Sequence, residues 1–200
     1  SDDGRGDALV LSQKELALST AGGVCLAGDI GGTKTWLMLA RRGERGREVL
    51  FEQRYLSHDF RTFDLLLEEF LRSARLPEPV DATCLGVAGP VLDDTVKVTN
   101  LPWLLNVAAL RERLGAPVKL INDFDATARG IEQLDAQDLV CLQRGTVTEN
   151  APRLVIGAGT GLGIAFSINM GKGYQSIPTE AGRNAFAPTT PEQVELWRHL

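Results

Sequence analysis

The sequence predicts an α/β fold, a mixed sheet with helices on its faces. Three observations carry this: strand-like runs follow one another near the start, apolar strands then alternate with amphipathic helices, and glycine-rich turns close two of the strands.

Taken in order, Gly22 to Ile30 and Thr35 to Ala40 are strand-compatible runs around a tight Gly31-Gly32 bend. A charged turn, Arg41 to Arg47, leads to a third extended run, Glu48 to Tyr55. His58 or Asp59 is then the candidate cap of a helix in which Phe63, Leu66, Leu67, Phe70 and Leu71 recur at helical spacing, ending before Pro77. The continuously apolar run from Ala82 to Pro90 reads as a central strand covered on both sides and stopped by Gly89-Pro90. Val96-Lys97-Val98 is a short strand, Thr99 to Trp103 a loop, and Val107 to Leu114 a helix opened by an Asn106 cap. Val118 to Ile121 is a buried strand ending in Asn122-Asp123, and Phe124 to Leu134 fits a helix. Leu139 to Leu142, Arg153 to Ile156 and Ile164 to Ile168 read as further strands, and a helix starts near Pro191. No linker or internal repeat divides the run.

Composition bounds the function. The chain is 44% hydrophobic and 24% charged, as in globular domains. A net charge of −5 argues against nucleic acid as a partner, because such binding requires a basic face. Charged residues interrupt every apolar stretch well short of the ~20 residues that span a bilayer, so no membrane is implied. The start, Ser1 to Asp7, is polar and lacks the order of a signal peptide, so residues 1–20 are expected to be a flexible leader and the location cytoplasmic. Cys25, Cys84 and Cys141 lie in apolar runs and are expected to be small buried hydrophobes in a reducing compartment. No zinc-ligand spacing is present, and His58 and His199 are far apart.

Chemistry concentrates where Asp29 meets Gly31-Gly32-Thr33-Lys34-Thr35. Backbone amides and the Thr33 and Thr35 hydroxyls can converge there on one anion. A carboxylate beside phosphate is repulsive unless Mg²⁺ lies between, so the pattern fits a nucleotide-metal site, with an ordinary hairpin turn as the plain alternative. It is not a Walker loop, since Gly32-Thr33-Lys34-Thr35 feeds a strand and not a helix. The second cluster, Gly157-Ala158-Gly159-Thr160-Gly161-Leu162-Gly163, fails as a dinucleotide fingerprint in its last spacing and in the strand that follows. Its glycines are more numerous than a hairpin needs, and close approach of a ligand to the backbone accounts for the excess. Asp123 stands at a strand-to-helix junction, where a catalytic carboxylate and a simple helix cap are both open readings.

Together, Leu26 to Thr33, Ile121-Asn122-Asp123-Phe124, Gly157 to Gly163, Glu180-Ala181-Gly182-Arg183 and Phe186-Ala187-Pro188 resemble the bacterial ATP-dependent glucokinases of the hexokinase, ROK and actin-like ATPase superfamily. The resemblance implies a ribonuclease H-like lobe over 21–188, with 189–200 opening a helical segment of a second lobe. It implies ATP with Mg²⁺, the nucleotide phosphates being gripped from two sides by Gly28, Asp29, Gly31, Gly32, Thr33, Lys34 and Thr35 and by Gly157, Gly159, Thr160 and Gly161, with Asp29 meeting the metal through water. Asp123 takes the place of the general base, and Asn100, Asn122, Asp123, Glu180 and Arg183 face the sugar, most simply glucose. Trp103 is expected to pack. One departure stands out: Arg183 occupies the position of the family's histidine, and Ala185 that of an acid, which leaves another hexose or an amino sugar as alternatives. A sugar-sensing repressor is the non-catalytic alternative, though no DNA-binding helix pair precedes Asp29. Without the second lobe the 200 residues alone are expected to turn over little or not at all, and family habit suggests a homodimer of the complete protein.

Overall fold

The computed structural model describes residues 22–43, 46–75, 78–158, 161–185 and 187–199. The expected leader, Pro77, Gly159, Thr160 and Phe186 lie outside them. The described chain falls into two compact units that divide between Asp123 and Phe124.

In the first unit, β1 (Val24–Ile30), β2 (Lys34–Gly43) and β3 (Gly46–Leu56) form an antiparallel meander. β4 (Ala82–Val87) then joins the free edge of β1 in parallel, and β7 (Val118–Asn122) joins β4 in parallel. The sheet order is therefore β3-β2-β1-β4-β7, the mixed α/β, ribonuclease H-like arrangement the sequence leads one to expect. A two-stranded ribbon of β5 (Thr95–Lys97) and β6 (Leu104–Asn106) sits between β4 and the next helix in sequence.

Strand alternation decides where the core lies. Val24, Leu26 and Ile30 of β1 share a face with Leu37 and Leu39 of β2, Leu85 and Val87 of β4, and Leu120 of β7. All belong to one core cluster with Phe63, Leu66, Leu67 and Phe70 of α1 (Phe63–Ala74) and Val107 and Leu110 of α2 (Val107–Leu114). Gly28 lies in this face: a Cβ there would come within 2.6 Å of a Leu37 methyl and 2.8 Å of one from Leu85, so its missing side chain is a packing requirement. Trp103 is buried and donates its indole N–H to the Phe60 carbonyl at 3.1 Å, the packing role expected of it.

Several sequence expectations need correction. The cap of α1 is Thr62, whose hydroxyl accepts from the Leu65 N–H at 3.4 Å, because Ser57–Asp59 forms a separate 3₁₀ turn ahead of it. The Asn106 cap of α2 is found as expected, accepting from the Ala109 N–H at 3.1 Å. β4 is not covered throughout: period-two alternation turns Cys84 to the opposite face from Thr83 and Leu85, and it is exposed. Cys141 is exposed and Cys25 half-buried, so burial does not explain these cysteines as a set.

The second unit holds α3 (Asp123–Gly130) from Phe124 onward, a 3₁₀ turn at Ile131–Gln133, and an antiparallel sheet of β8 (Arg153–Ala158), β9 (Leu162–Asn169) and β10 (Tyr174–Thr179). Ala128, Val155 and Ala165 are buried together, with Phe124 and Ile131 packed on them. Leu139 to Leu142 is not a strand: Val140 and Leu142 are 84% and 94% exposed, and the sheet order β10-β9-β8 gives the segment no ladder to join. The helix expected near Pro191 is α4 (Pro191–His199).

Adjacent leucines in α1 test this account of the core. Leu66→Ala, at a fully buried position, is expected to lower unfolding free energy by about 2–5 kcal/mol in urea titrations. Leu65→Ala, at a half-exposed one, should cost less than about 1 kcal/mol. Equal losses would show that α1 does not seat on the sheet through the face described.

Candidate functional site

The C-terminal ends of parallel strands are where open α/β sheets collect ligand groups. In the first unit the register aligns Ile30 of β1 with Val87 of β4, and Val87 with Asn122 of β7. The residues that follow these three, Gly31, Ala88 and Asp123, therefore leave the sheet side by side.

The turn after β1 is held by a short buried network. The Gly31 N–H donates to the Lys34 carbonyl at 3.0 Å, and the Ser57 N–H donates to the Thr33 carbonyl at 3.0 Å. Ser57 Oγ donates to the Gly31 carbonyl at 2.8 Å and lies 2.9 Å from Thr35 Oγ1. With the serine proton committed to Gly31, the Thr35 hydroxyl donates to Ser57. Thr35 and Ser57 are both fully buried. Thr35 thus supports the turn from beneath, and Thr33 and Lys34 are left exposed at its tip. Ser57 is a site-supporting residue that sequence reading missed. Its only signal was its place just after a strand, next to the candidate cap residues.

Gly32 brings a second loop to the turn. A Cβ there would come within 2.6 Å of the Thr99 carbonyl and 3.4 Å of Asn100 Cβ, so the absence of a side chain permits contact with the Thr99-Asn100 loop. Asn100 adopts a left-handed φ of 64°, a conformation asparagine tolerates, and is exposed. The Thr99 N–H donates to the Ala88 carbonyl at 2.8 Å, and Asn122 Nδ2 donates to the Gly89 carbonyl at 3.2 Å. These bonds link the loop, the end of β4 and the end of β7. The structure therefore brings Gly31, Gly32, Thr33, Asn100, Asn122 and Asp123 to one end of the first sheet. Asp123 is half-buried in the first turn of α3, where a helix N-terminus favours negative charge.

Asp29 lies one residue earlier on β1, on the face opposite the core, paired with Trp36 and Gly86. Its carboxyl is pushed above its ordinary value because neighbouring protein removes water from it. That is a carboxylate in need of a cation. No cluster of three or more His, Cys, Asp or Glu that could cage a metal exists among the described residues. The donor set therefore fits Mg²⁺ bound chiefly by phosphate and water, with one protein carboxylate, and not a dedicated protein cage.

In the second unit, Gly157 and Gly163 are cross-strand partners at the ends of β8 and β9, and Gly161 is exposed just before β9. Glu180 is exposed at the end of β10 and leads into the Ala181–Arg183 turn. Thr179 Oγ1 donates to the Ile164 carbonyl at 2.9 Å and accepts from the Ala181 N–H at 3.2 Å. A side chain on Gly182 would collide with the Leu162 backbone, so this glycine lets the Glu180 turn sit against the start of β9. Two expected sets, the glycine-rich turn and the Glu180–Arg183 segment, thus meet within this unit. Gly159 and Thr160 lie outside the described residues.

Among the described residues no helix is long and apolar enough to cross a membrane. A glucokinase family model matches residues 26–200. A glucokinase of Nostoc punctiforme is 42% identical over 177 residues, covering 88% of this chain and 52% of the relative. Similar solved structures include a glucokinase from an Antarctic psychrotroph (TM-score 0.73, 27% identity, 88% of this chain and 56% of that one). Another is a glucokinase from Balamuthia mandrillaris in complex with glucose (TM-score 0.71, 25% identity, 91% and 55%). A third is a ROK family glucokinase from Streptomyces griseus in complex with glucose and AMPPNP (TM-score 0.52, 26% identity, 72% and 44%). The chain spans about half the length of the curated relatives it matches. With the family model covering nearly all of the sequence, the chain belongs to the glucokinase family.

Proposed function

We propose that the protein carrying this sequence phosphorylates a hexose with ATP, converting glucose to glucose 6-phosphate at the entry to glycolysis. The observation that carries the reading is the grouping of Asn100, Asn122 and Asp123 with the Gly31-Gly32 turn at one end of the parallel strands. That places a carboxylate, two amide side chains and an amide-lined turn where an alcohol and a phosphate need them. Glucose and AMPPNP in the related structures agree with a sugar acceptor and an adenine nucleotide donor.

In this mechanism Asp123 accepts the hydrogen bond of the attacking hydroxyl, orients it for in-line attack and takes its proton as the phosphoryl group transfers. It needs no strong basicity, because positioning and charge neutralisation supply most of the rate. Asn100 and Asn122 hold sugar hydroxyls, and Glu180 and Arg183 are assigned to the same task. The glycine turns of both units, with Thr33 and Lys34, are assigned to the nucleotide phosphates, while Thr35 acts through Ser57. Bound Mg²⁺ would neutralise phosphate charge, and Asp29 is the residue that would hold it, through water. A cytoplasmic homodimer of the complete protein belongs to the same proposal.

A second acceptor is favoured by one residue. Arginine donates hydrogen bonds but accepts none, so Arg183 in the place of a histidine suits a different hydroxyl pattern or an amino sugar. A panel of hexoses and amino sugars assayed with the full-length enzyme separates the two.

Asp123→Ala in the full-length protein is expected to lower sugar-dependent ADP formation by at least about 100-fold while glucose and ATP still bind. Wild-type activity in that variant would overturn the assignment of the base. Ser57→Ala leaves the Thr35 hydroxyl and the Gly31 carbonyl buried without their partner. We expect it to cost about 1–3 kcal/mol in denaturant titrations and to raise KM for ATP more than it lowers kcat. An unchanged KM for ATP would remove the turn from the nucleotide site.

A further inference from the structure

The second glycine cluster contains a packing feature that phosphate binding does not explain. Gly157 of β8 and Gly163 of β9 face each other across the ladder, and the ring of Phe124 occupies the space both leave. A Cβ on Gly157 would lie 2.6 Å from Phe124 Cζ. For a Cβ on Gly163, the three nearest atoms all belong to the same ring, well inside van der Waals contact. The two glycines form a slot the width of an aromatic ring. Its floor continues into Ala128, Val155 and Ala165, on which Phe124 packs.

Phe124 follows Asp123 directly, and both stand in the first turn of α3. Their Cα atoms are therefore about 3.8 Å apart, joined by a rigid peptide. A ring with two rotatable bonds, gripped by a pair of strands, restrains the backbone on which the carboxylate is mounted. We propose that Phe124, seated on Gly157 and Gly163, is a positioning residue that holds Asp123 in register with the glycine-rich hairpin during phosphoryl transfer. The inference rests on the assignment of Asp123 as base. It gives Gly157 and Gly163 a role that does not involve touching the nucleotide: they are small so that the ring fits.

Position matters here because a displacement of about 1 Å at a reacting group costs on the order of 100-fold in rate. Phe124→Ala empties the slot, and Gly163→Ala drives the ring from it, so both act through the same loss. Val155→Ala loosens the same cluster without touching the slot and serves as the control for stability.

The test measures kcat, KM for glucose, KM for ATP and thermal midpoint in the full-length protein for Phe124→Ala, Gly163→Ala, their double variant, Val155→Ala and Asp123→Ala. Expected are a fall in kcat of about 100-fold for each slot variant with either KM changed less than about 3-fold, and a double variant no worse than the poorer single one. Val155→Ala should keep kcat within about 3-fold despite a comparable fall in midpoint. Should Phe124→Ala fail to fold, Phe124→Leu replaces it, with a smaller loss of kcat expected in the same pattern. Additive losses in the double variant, a rise in KM in place of the fall in kcat, or an equal kcat loss in Val155→Ala would each overturn the proposal. If Asp123→Ala is inactive while Phe124→Ala keeps its kcat, only this inference fails. If Asp123→Ala stays active, the base assignment fails, and this inference fails with it.

Discussion

The candidate site in the first unit depends on close approach of backbone to backbone at the end of β1. Gly31 closes the turn through Lys34, Ser57 ties the Gly31 carbonyl to Thr35, and Gly32 lets the Thr99 carbonyl come within reach. Each contact involves a backbone group or a short hydroxyl, so little conformational entropy is left to lose when a ligand arrives. A longer side chain at Gly32 would push away the Asn100 loop. Loss of the Ser57 hydroxyl would free the turn from beneath. The turn is therefore prepared before binding, which backbone-amide recognition of an anion requires.

Much of this was legible in the sequence, and what was not has identifiable causes. The opening meander, the Asn106 cap and the Asn122-Asp123 junction were readable because each depends on local chemistry: alternation, a side chain that reaches its own helix, a strand that runs into a helix start. The α1 cap was misplaced because Ser57, His58, Asp59 and Thr62 are all polar and compete as candidates, and the 3₁₀ turn that decides among them depends on Ser57 reaching back to Gly31. Leu139 to Leu142 has the composition of a strand, but β structure needs a partner edge, which composition does not record. Cys84 failed for a related reason. Its neighbours are apolar on both sides in sequence, but the face it occupies is set by the register of three strands.

The glycines show the limit most clearly. Counting them marks where the backbone is crowded without saying by what. Gly28 makes room for Leu37 and Leu85, Gly32 for Thr99, Gly157 and Gly163 for Phe124, and Gly182 for Leu162. Four of these five lie in motifs assigned to ligand binding on sequence grounds. The geometry gives each a neighbour within the protein that forbids a side chain. Motif glycines at a phosphate site therefore serve two ends at once: they free amides toward the ligand on one side and admit packing on the other.

Asp29 sits at the point where these demands conflict. Burial raises its affinity for a proton, since the charged form has lost water without gaining a protein cation in exchange. Anionic phosphate at the adjacent turn would raise it further. A carboxylate kept in such a place destabilises the unliganded fold when ionised, and the penalty is relieved only by a positive charge arriving from outside. Mg²⁺ accompanying the nucleotide meets that need with one protein oxygen and its own waters, because it sheds water reluctantly and does not require a full protein cage. The absence of a richer acidic cluster among the described residues then follows: more carboxylates would bind the cation without nucleotide and repel the phosphates when it came.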